Sequence, residues 1–304
     1  MAEISQLVKE SIDLHYHIGP DILPRRDTIE SLLESERGKI KGIALKSHAF
    51  PTISTINTVK KRNDDPILIG SITLNYFMGG FNPSAIYASA TMSKGYPLIV
   101  WFPTIHAENH LIKNHSEYEI PPEWVRDPLF KPRLKSELKA IKVTDWNNKL
   151  FEKCHRVLKT IKETNSILAT GHLSWQESYV LASESLKMGI KTIITHPMQR
   201  DIAMPIEIQK ELAMKGAIIE HCYIMWLDRD NPGDYPLATI KRDMEEVGYD
   251  NCIITTDAGQ IRNPPPSKSL GEYMNLLNDA GVPNEALETM AVINPRKILE
   301  MDQI

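Results

Sequence analysis

Eight short runs rich in apolar and β-branched residues recur along the chain, most of them followed by an amphipathic stretch. They cover residues 12–17, 40–48, 67–74, 98–102, 167–172, 192–196, 217–221 and 252–257. Nearly continuous apolar runs suit strands covered on both faces, and their alternation with helical patterns predicts βα units on a parallel sheet. Eight is also the number of strands that closes a (β/α)8 TIM barrel, an α/β fold. An open doubly wound sheet is the competing arrangement.

The helix punctuation agrees with that order. Asp27 with Glu30, and Ser174 with Glu177, have capping-box spacing just after the first and fifth runs. Gly38 and Gly189 fall where those helices should stop, while Pro205 opens a later helix that Gly216 closes. No internal repeat or low-complexity tract interrupts the pattern. Two connections are too long for simple βα loops: an insertion at about 113–146, after the fourth run, and residues 225–235, after the seventh. Both leave strand C-termini, where barrel active sites sit, so each reads either as a lid or binding loop or as a decorative insertion.

Length and composition narrow the class. The 304 residues suit one barrel domain, and a net charge of −4 does not favour nucleic acid or an anionic membrane as partner. No apolar run approaches the ~20 residues that span a bilayer, and the N-terminal stretch lacks a signal-peptide core. Three cysteines without a CxxC spacing read as reduced thiols. The expectation is a cytoplasmic protein acting on a small molecule, with a symmetric homo-oligomer as the common state of such proteins.

Candidate chemistry starts at Asp13-Leu14-His15-Tyr16-His17. On a regular strand Asp13, His15 and His17 share a face, where two imidazoles can grip a metal ion and a carboxylate can hold one of them in a single tautomer. Further histidines close other runs, in Lys46-Ser47-His48, Thr170-Gly171-His172, Thr195-His196-Pro197 and Glu220-His221-Cys222; the last run ends Thr255-Thr256-Asp257. In a closed barrel these ends ring one mouth. Imidazole with carboxylate suits one or two divalent ions, Zn first, with Mn, Fe or Ni as alternatives. Arg25 and Arg26 follow the first run on the same rim, where either can clamp an anionic group or face water. His48, His110 and His221 read either as substrate-polarising or metal-binding groups or as satisfied structural histidines. His115 and His155 look incidental.

In this order the motifs resemble the amidohydrolase superfamily of metal-dependent hydrolases: HxH on strand one, single histidines on strands five and six, aspartate on strand eight. Asn294-Pro295-Arg-Lys-Ile-Leu-Glu300 is similar to a tail found near the end of such chains. Within the superfamily the sequence is similar to a poorly characterised amidohydrolase-like family. The resemblance implies that His15, His17 and Asp257 hold one metal, that His172 and His196 hold a second, and that Asp257 also serves as base. A carboxylated lysine or glutamate, usually from strand four, would bridge the two ions. Here the chain departs, since Trp101-Phe-Pro-Thr104 carries no lysine. Lys46, costly to bury as a bare ammonium, becomes an anionic bridge if carboxylated by carbon dioxide, and Glu108 is the alternative bridge; Lys46 is otherwise a cationic substrate contact.

The function expected is hydrolysis of a C–N or C–O bond in a small, anionic amide, cyclic amide or lactone. Phosphoester hydrolysis, decarboxylation or a lyase reaction are alternatives on the same site. A non-catalytic metal- or partner-binding barrel is the reading from another class.

Overall fold

The computed structural model describes residues 4–227 and 236–301. Nine strand segments follow one another as β1 (Ile12–His17), β2 (Gly42–Lys46), β3 (Ile67–Ile69), β4 (Ser71–Thr73), β5 (Ile99–Trp101), β6 (Ile167–Ala169), β7 (Thr192–Ile194), β8 (Ile218–Cys222) and β9 (Cys252–Thr255). Among the described residues every pairing between these strands is parallel, in the orders β1-β2-β3 and β4-β5-β6-β7-β8-β9. The eight expected runs are all present, most as shorter strands, and the third is broken at Gly70. A side chain there would strike Ile53, since a Cβ would lie 2.7 Å from the Ile53 Cβ. The first and last strands meet: Asp257 N donates to His15 O at 2.8 Å and His17 N to Ala258 O at 2.8 Å.

Alternation along the strands sorts residues into two apolar layers. Ile12, Leu14, Ala44, Ile69, Ile99, Trp101, Ile167, Ala169, Ile193 and Ile253 pack together as the barrel interior. Ile43, Leu45, Leu68, Ile72, Val100, Leu168, Ile194, Ile219 and Ile254 face the helices and join the larger outer core. Burying an aliphatic side chain of this size contributes about 2 kcal/mol, so two filled layers fix which residues point into the barrel.

Two local expectations are corrected. The helix Ile29–Glu36 is capped by Thr28 with Ser31, not by Asp27 with Glu30; Asp27 instead accepts from the Tyr16 hydroxyl at 2.6 Å. Strand β1 carries a register shift between Asp13 and Tyr16, so Asp13 does not share a regular face with His15 and His17. By contrast, Ser174 does cap the helix Trp175–Lys187. Asn294 of the tail donates to the carbonyls of Tyr249 and Cys252, tying the chain end to the start of β9.

The insertion has little regular structure. It follows the short helix Glu108–Lys113 and holds single 3-10 turns at Pro122–Trp124 and Lys135–Glu137. Of the second long connection, residues 228–235 lie outside the described residues. Among the described residues no helix is long and apolar enough to cross a membrane.

Candidate metal centre

The bulge in β1 turns consecutive chemistry toward the mouth. Above the apolar interior, His15 Nε2 lies 2.9 Å and His17 Nε2 3.0 Å from the same oxygen, Asp257 Oδ1. These three groups form a cluster whose ligand atoms all fall within 4.8 Å of one another. His15 and His17 are sealed, whereas the Asp257 side chain keeps 14% of its surface exposed, so the cluster opens at Asp257. Asp257 and His196 both have positive φ, 49° and 25°, a conformation that L side chains adopt at a cost and that is found at ligand-gripping positions.

The electrostatics of the cluster favour a cation. Burial pushes the Asp257 carboxyl up, but the flanking imidazoles of His15 and His17 outweigh it and hold the group well below the usual carboxylate range. Burial lowers His15, yet Asp257 and Glu220 on either side bring it above the ordinary histidine value. His17 is driven well down by burial and by the nearby Arg25 charge. Two imidazole nitrogens and a carboxylate oxygen converging in a buried space that opens at Asp257 match the donor set of a divalent transition metal. The residues present therefore fit a metal.

Lys46 is in the same space. Its Nζ lies 2.9 Å from His15 Nε2 and 4.1 Å above the Trp101 ring. Burial lowers its pKa against the opposing charges of Asp257 and Glu220. His172 and His196 continue the row, with ring centroids 5.1 Å apart and His196 Nε2 4.0 Å from Asp257 Oδ2. The Nδ1 atoms of His17, His172 and His196 are buried without a hydrogen-bond partner. Gly171 lets the strand before His172 pass under the loop after β5, because a Cβ there would lie 2.4 Å from Phe102 O.

Other expected site residues fall elsewhere. Alternation on β8 turns Glu220 and Cys222 toward His15 and His221 away from it; His221 lines a small cavity with Met198, Met225, Ile240 and Tyr273, which His196, Glu220 and Cys222 border as well. Glu108 opens the helix Glu108–Lys113 and pairs with Lys142 at 2.8 Å; it is not placed to bridge the cluster, because β5 ends at Trp101. Arg26 donates to Asn263 O on the outer rim. Arg25 is buried against Asp21, at 2.8 Å, and its charge acts on His17 and His48. His110 sits on the rim, its ring 5.2 Å from His172 and its Nε2 3.1 Å from Lys135 of the insertion. His48 packs 4.8 Å from His17, ring to ring. Asp13 touches neither imidazole; its carboxylate accepts from the backbone amides of His15 and Thr256 and from the Thr256 hydroxyl.

The residue that the sequence reading passed over is Glu220. Its Oε1 lies 3.0 Å from His15 Nδ1 and accepts from Thr255 Oγ1 at 3.0 Å, while Oε2 accepts from His196 N at 3.1 Å. Period-two alternation was the available signal, since on β8 an inward Cys222 implies an inward Glu220 and an outward His221.

Comparison with known proteins places the architecture. An amidohydrolase from Pseudomonas aeruginosa superposes with a TM-score of 0.62 at 12% identity, covering 98% of each chain. The probable dipeptidase PvdM from the same organism gives 0.60 at 11% identity, over 97% of this chain and 96% of that one. A probable 2-pyrone-4,6-dicarboxylic acid hydrolase from Acinetobacter baumannii, solved with citric acid bound, gives 0.56 at 10% identity, over 95% and 98%. The fold is thus that of amidohydrolase-type barrels. No curated protein matches the chain. A family model described as a family of unknown function, DUF6282, matches residues 10–220.

Proposed function

We propose that this chain, which belongs to the DUF6282 family, is a metal-dependent hydrolase that cleaves a C–N or C–O bond in a small anionic amide, cyclic amide or lactone. The observation that carries the reading is the convergence of His15 Nε2 and His17 Nε2 on one oxygen of Asp257 at the C-terminal ends of the barrel strands. His15, His17 and Asp257 would hold one ion, Zn by donor type, and His172 and His196 a second. Bound there, such an ion lowers the pKa of water toward ~7 and polarises a carbonyl oxygen.

The chain's own groups do the rest. Asp257, kept ionised by its two imidazoles and open on one side, takes a proton from the attacking water and returns it to the leaving group. Burial favours Lys46 as a neutral amine, the form that attacks carbon dioxide. A C–N bond forms, one proton leaves, and the product is a carbamate of net charge −1. A bare ammonium 2.9 Å from His15 Nε2 would repel an ion on that nitrogen, whereas a carbamate offers it oxygen ligands. Arg25 adds positive charge beside His17 and His48, which favours an anionic substrate.

The test is turnover of a panel of lactones, cyclic amides and N-acyl amino acids by Zn-loaded protein, with product analysis separating hydrolysis from decarboxylation. Hydrolysis that vanishes in Asp257→Asn, with folding and most metal retained, supports the reading. Equal turnover by the variant would remove Asp257 as the base.

A further inference from the structure

We infer that His48 is a catalytic residue fixed as the Nε2–H tautomer, donating to the substrate oxygen on which negative charge builds during attack, with Thr104 and Asn75 as its positioning residues. The inference rests on the hydrolase reading and adds to it a group that binds oxygen and leaves the metal alone.

A chain of buried hydrogen bonds runs from Asn75 through Thr104 to His48. Asn75 Oδ1 accepts from the backbone amides of Thr104 at 3.0 Å and His106 at 3.3 Å. Those two donors fix which end of the amide is oxygen, so Nδ2 must point the other way. Nδ2 then donates to His48 O at 3.1 Å and to Thr104 Oγ1 at 2.8 Å. Thr104 is fully buried, and its hydroxyl has one proton to place. The acceptor in reach is His48 Nδ1 at 2.9 Å. Were His48 Nδ1 protonated instead, the hydroxyl proton of Thr104 would be buried without an acceptor, an arrangement that folded proteins avoid. His48 therefore accepts at Nδ1 and carries its proton on Nε2.

That proton lies on the ring edge away from Thr104. The His48 ring is 4.8 Å from His17, and one ring nitrogen forms with His17 and Asp21 a cluster of metal-ligand type whose atoms fall within 4.8 Å of one another. Asp21 is already engaged: Oδ2 accepts from Arg25, and Oδ1 from the amides of Ile22 and His48 and from the Ser47 hydroxyl. A protonated Nε2 cannot ligate a metal, but it can donate to an oxyanion. A donor fixed before reaction is the kind of group whose removal costs about 10²–10³-fold in kcat.

The experiment is multiple-bond ¹H–¹⁵N NMR on the full chain labelled with ¹⁵N-histidine, with Zn alone added, His48 being assigned with His48→Gln. The expected result is protonated Nε2 and bare Nδ1 at His48 in the wild type, a tautomer mixture in Thr104→Val, and recovery in Thr104→Ser. An Nδ1–H signal in the wild type would overturn the inference. In parallel, His48→Gln should keep the wild-type Zn content while kcat falls about 10²-fold or more with little change in KM. Loss of Zn from that variant would make His48 a ligand and overturn the inference, as would unchanged kcat. A wild-type chain that binds no Zn would overturn the hydrolase reading itself, an outcome read separately from the tautomer.

Discussion

His15 Nδ1 and Glu220 Oε1 lie 3.0 Å apart with both side chains sealed from solvent. The carboxylate is held below its usual range: burial opposes this, and the adjoining His15 ring outweighs it. A carboxylate there accepts a hydrogen bond from Nδ1–H and leaves Nε2 bare, facing Asp257 and Lys46. The same carboxylate accepts from His196 N, so one side chain aligns residues proposed for both metals.

Glu220→Gln should therefore weaken Zn binding by about 10–100-fold, the usual cost of losing such a partner. Glutamine can still accept from His15, but its amide would confront the His196 N–H with a second donor. Competition against a fluorescent chelator measures the change. Wild-type affinity in the variant would show that the contact does not orient His15.

Lys46→Ala should lower metal content by one equivalent. Added bicarbonate should raise the activity of the wild type and leave the variant unaffected. Intact-mass spectra under non-acidic conditions should show a carbon dioxide adduct in the wild type alone. Normal metal loading of Lys46→Ala would remove Lys46 from the bridge.

How much of this site was legible follows from where each side chain sits in its element. His15, His17, His172, His196 and Asp257 stood out because ligand-type residues ended apolar runs, and a parallel barrel brings run ends together. Asp13 was misjudged because a bulge in β1 shifts the register, which period-two reading cannot see. Glu220 was overlooked beside His221 because residue type was weighed ahead of alternation. Asn75 and Thr104 lie in loops beyond β4 and β5, where no periodicity marks a position; only the folded hydrogen-bond chain reveals them. The barrel itself was readable because its signal is repeated eight times, whereas each loop contact occurs once.

Asp13 should leave a signature in the pH dependence of stability. Burial raises its carboxyl to about 6, against hydrogen bonds from Thr256 and His15 that favour the anion. An unfolded aspartate titrates near ~3.9. Between about pH 4 and pH 6 the folded chain keeps a proton that the unfolded chain has lost, so this group's contribution falls as pH rises and stays low above 6. Two pKa units amount to about 3 kcal/mol. In Asp13→Asn the oxygen can still accept from the amides of His15 and Thr256, while the Thr256 hydroxyl can turn to His15 O at 3.3 Å. Denaturant unfolding of metal-free protein should show the variant gaining about 3 kcal/mol over the wild type from pH 4 to pH 7. A difference that does not change with pH would contradict the shift.

Gly259 should not tolerate a side chain. Its φ is +116°, and a Cβ would lie 2.0 Å from His17 O, beside the bond that joins the last strand to the first. Gly259→Ala should cost at least about 2 kcal/mol and disturb metal binding, because the clash falls on the backbone of His17. Thermal unfolding and metal titration of the variant check both. Wild-type stability with wild-type affinity would mean that the contact relaxes freely.

The most direct measurement is the metal content of the chain, purified without chelator or added metal and analysed by elemental methods, alongside the double variant His15→Ala/His17→Ala. The account predicts two equivalents per wild-type chain and loss of at least one in the variant. A wild-type chain that holds no metal, even after Zn or Mn is supplied, would contradict it.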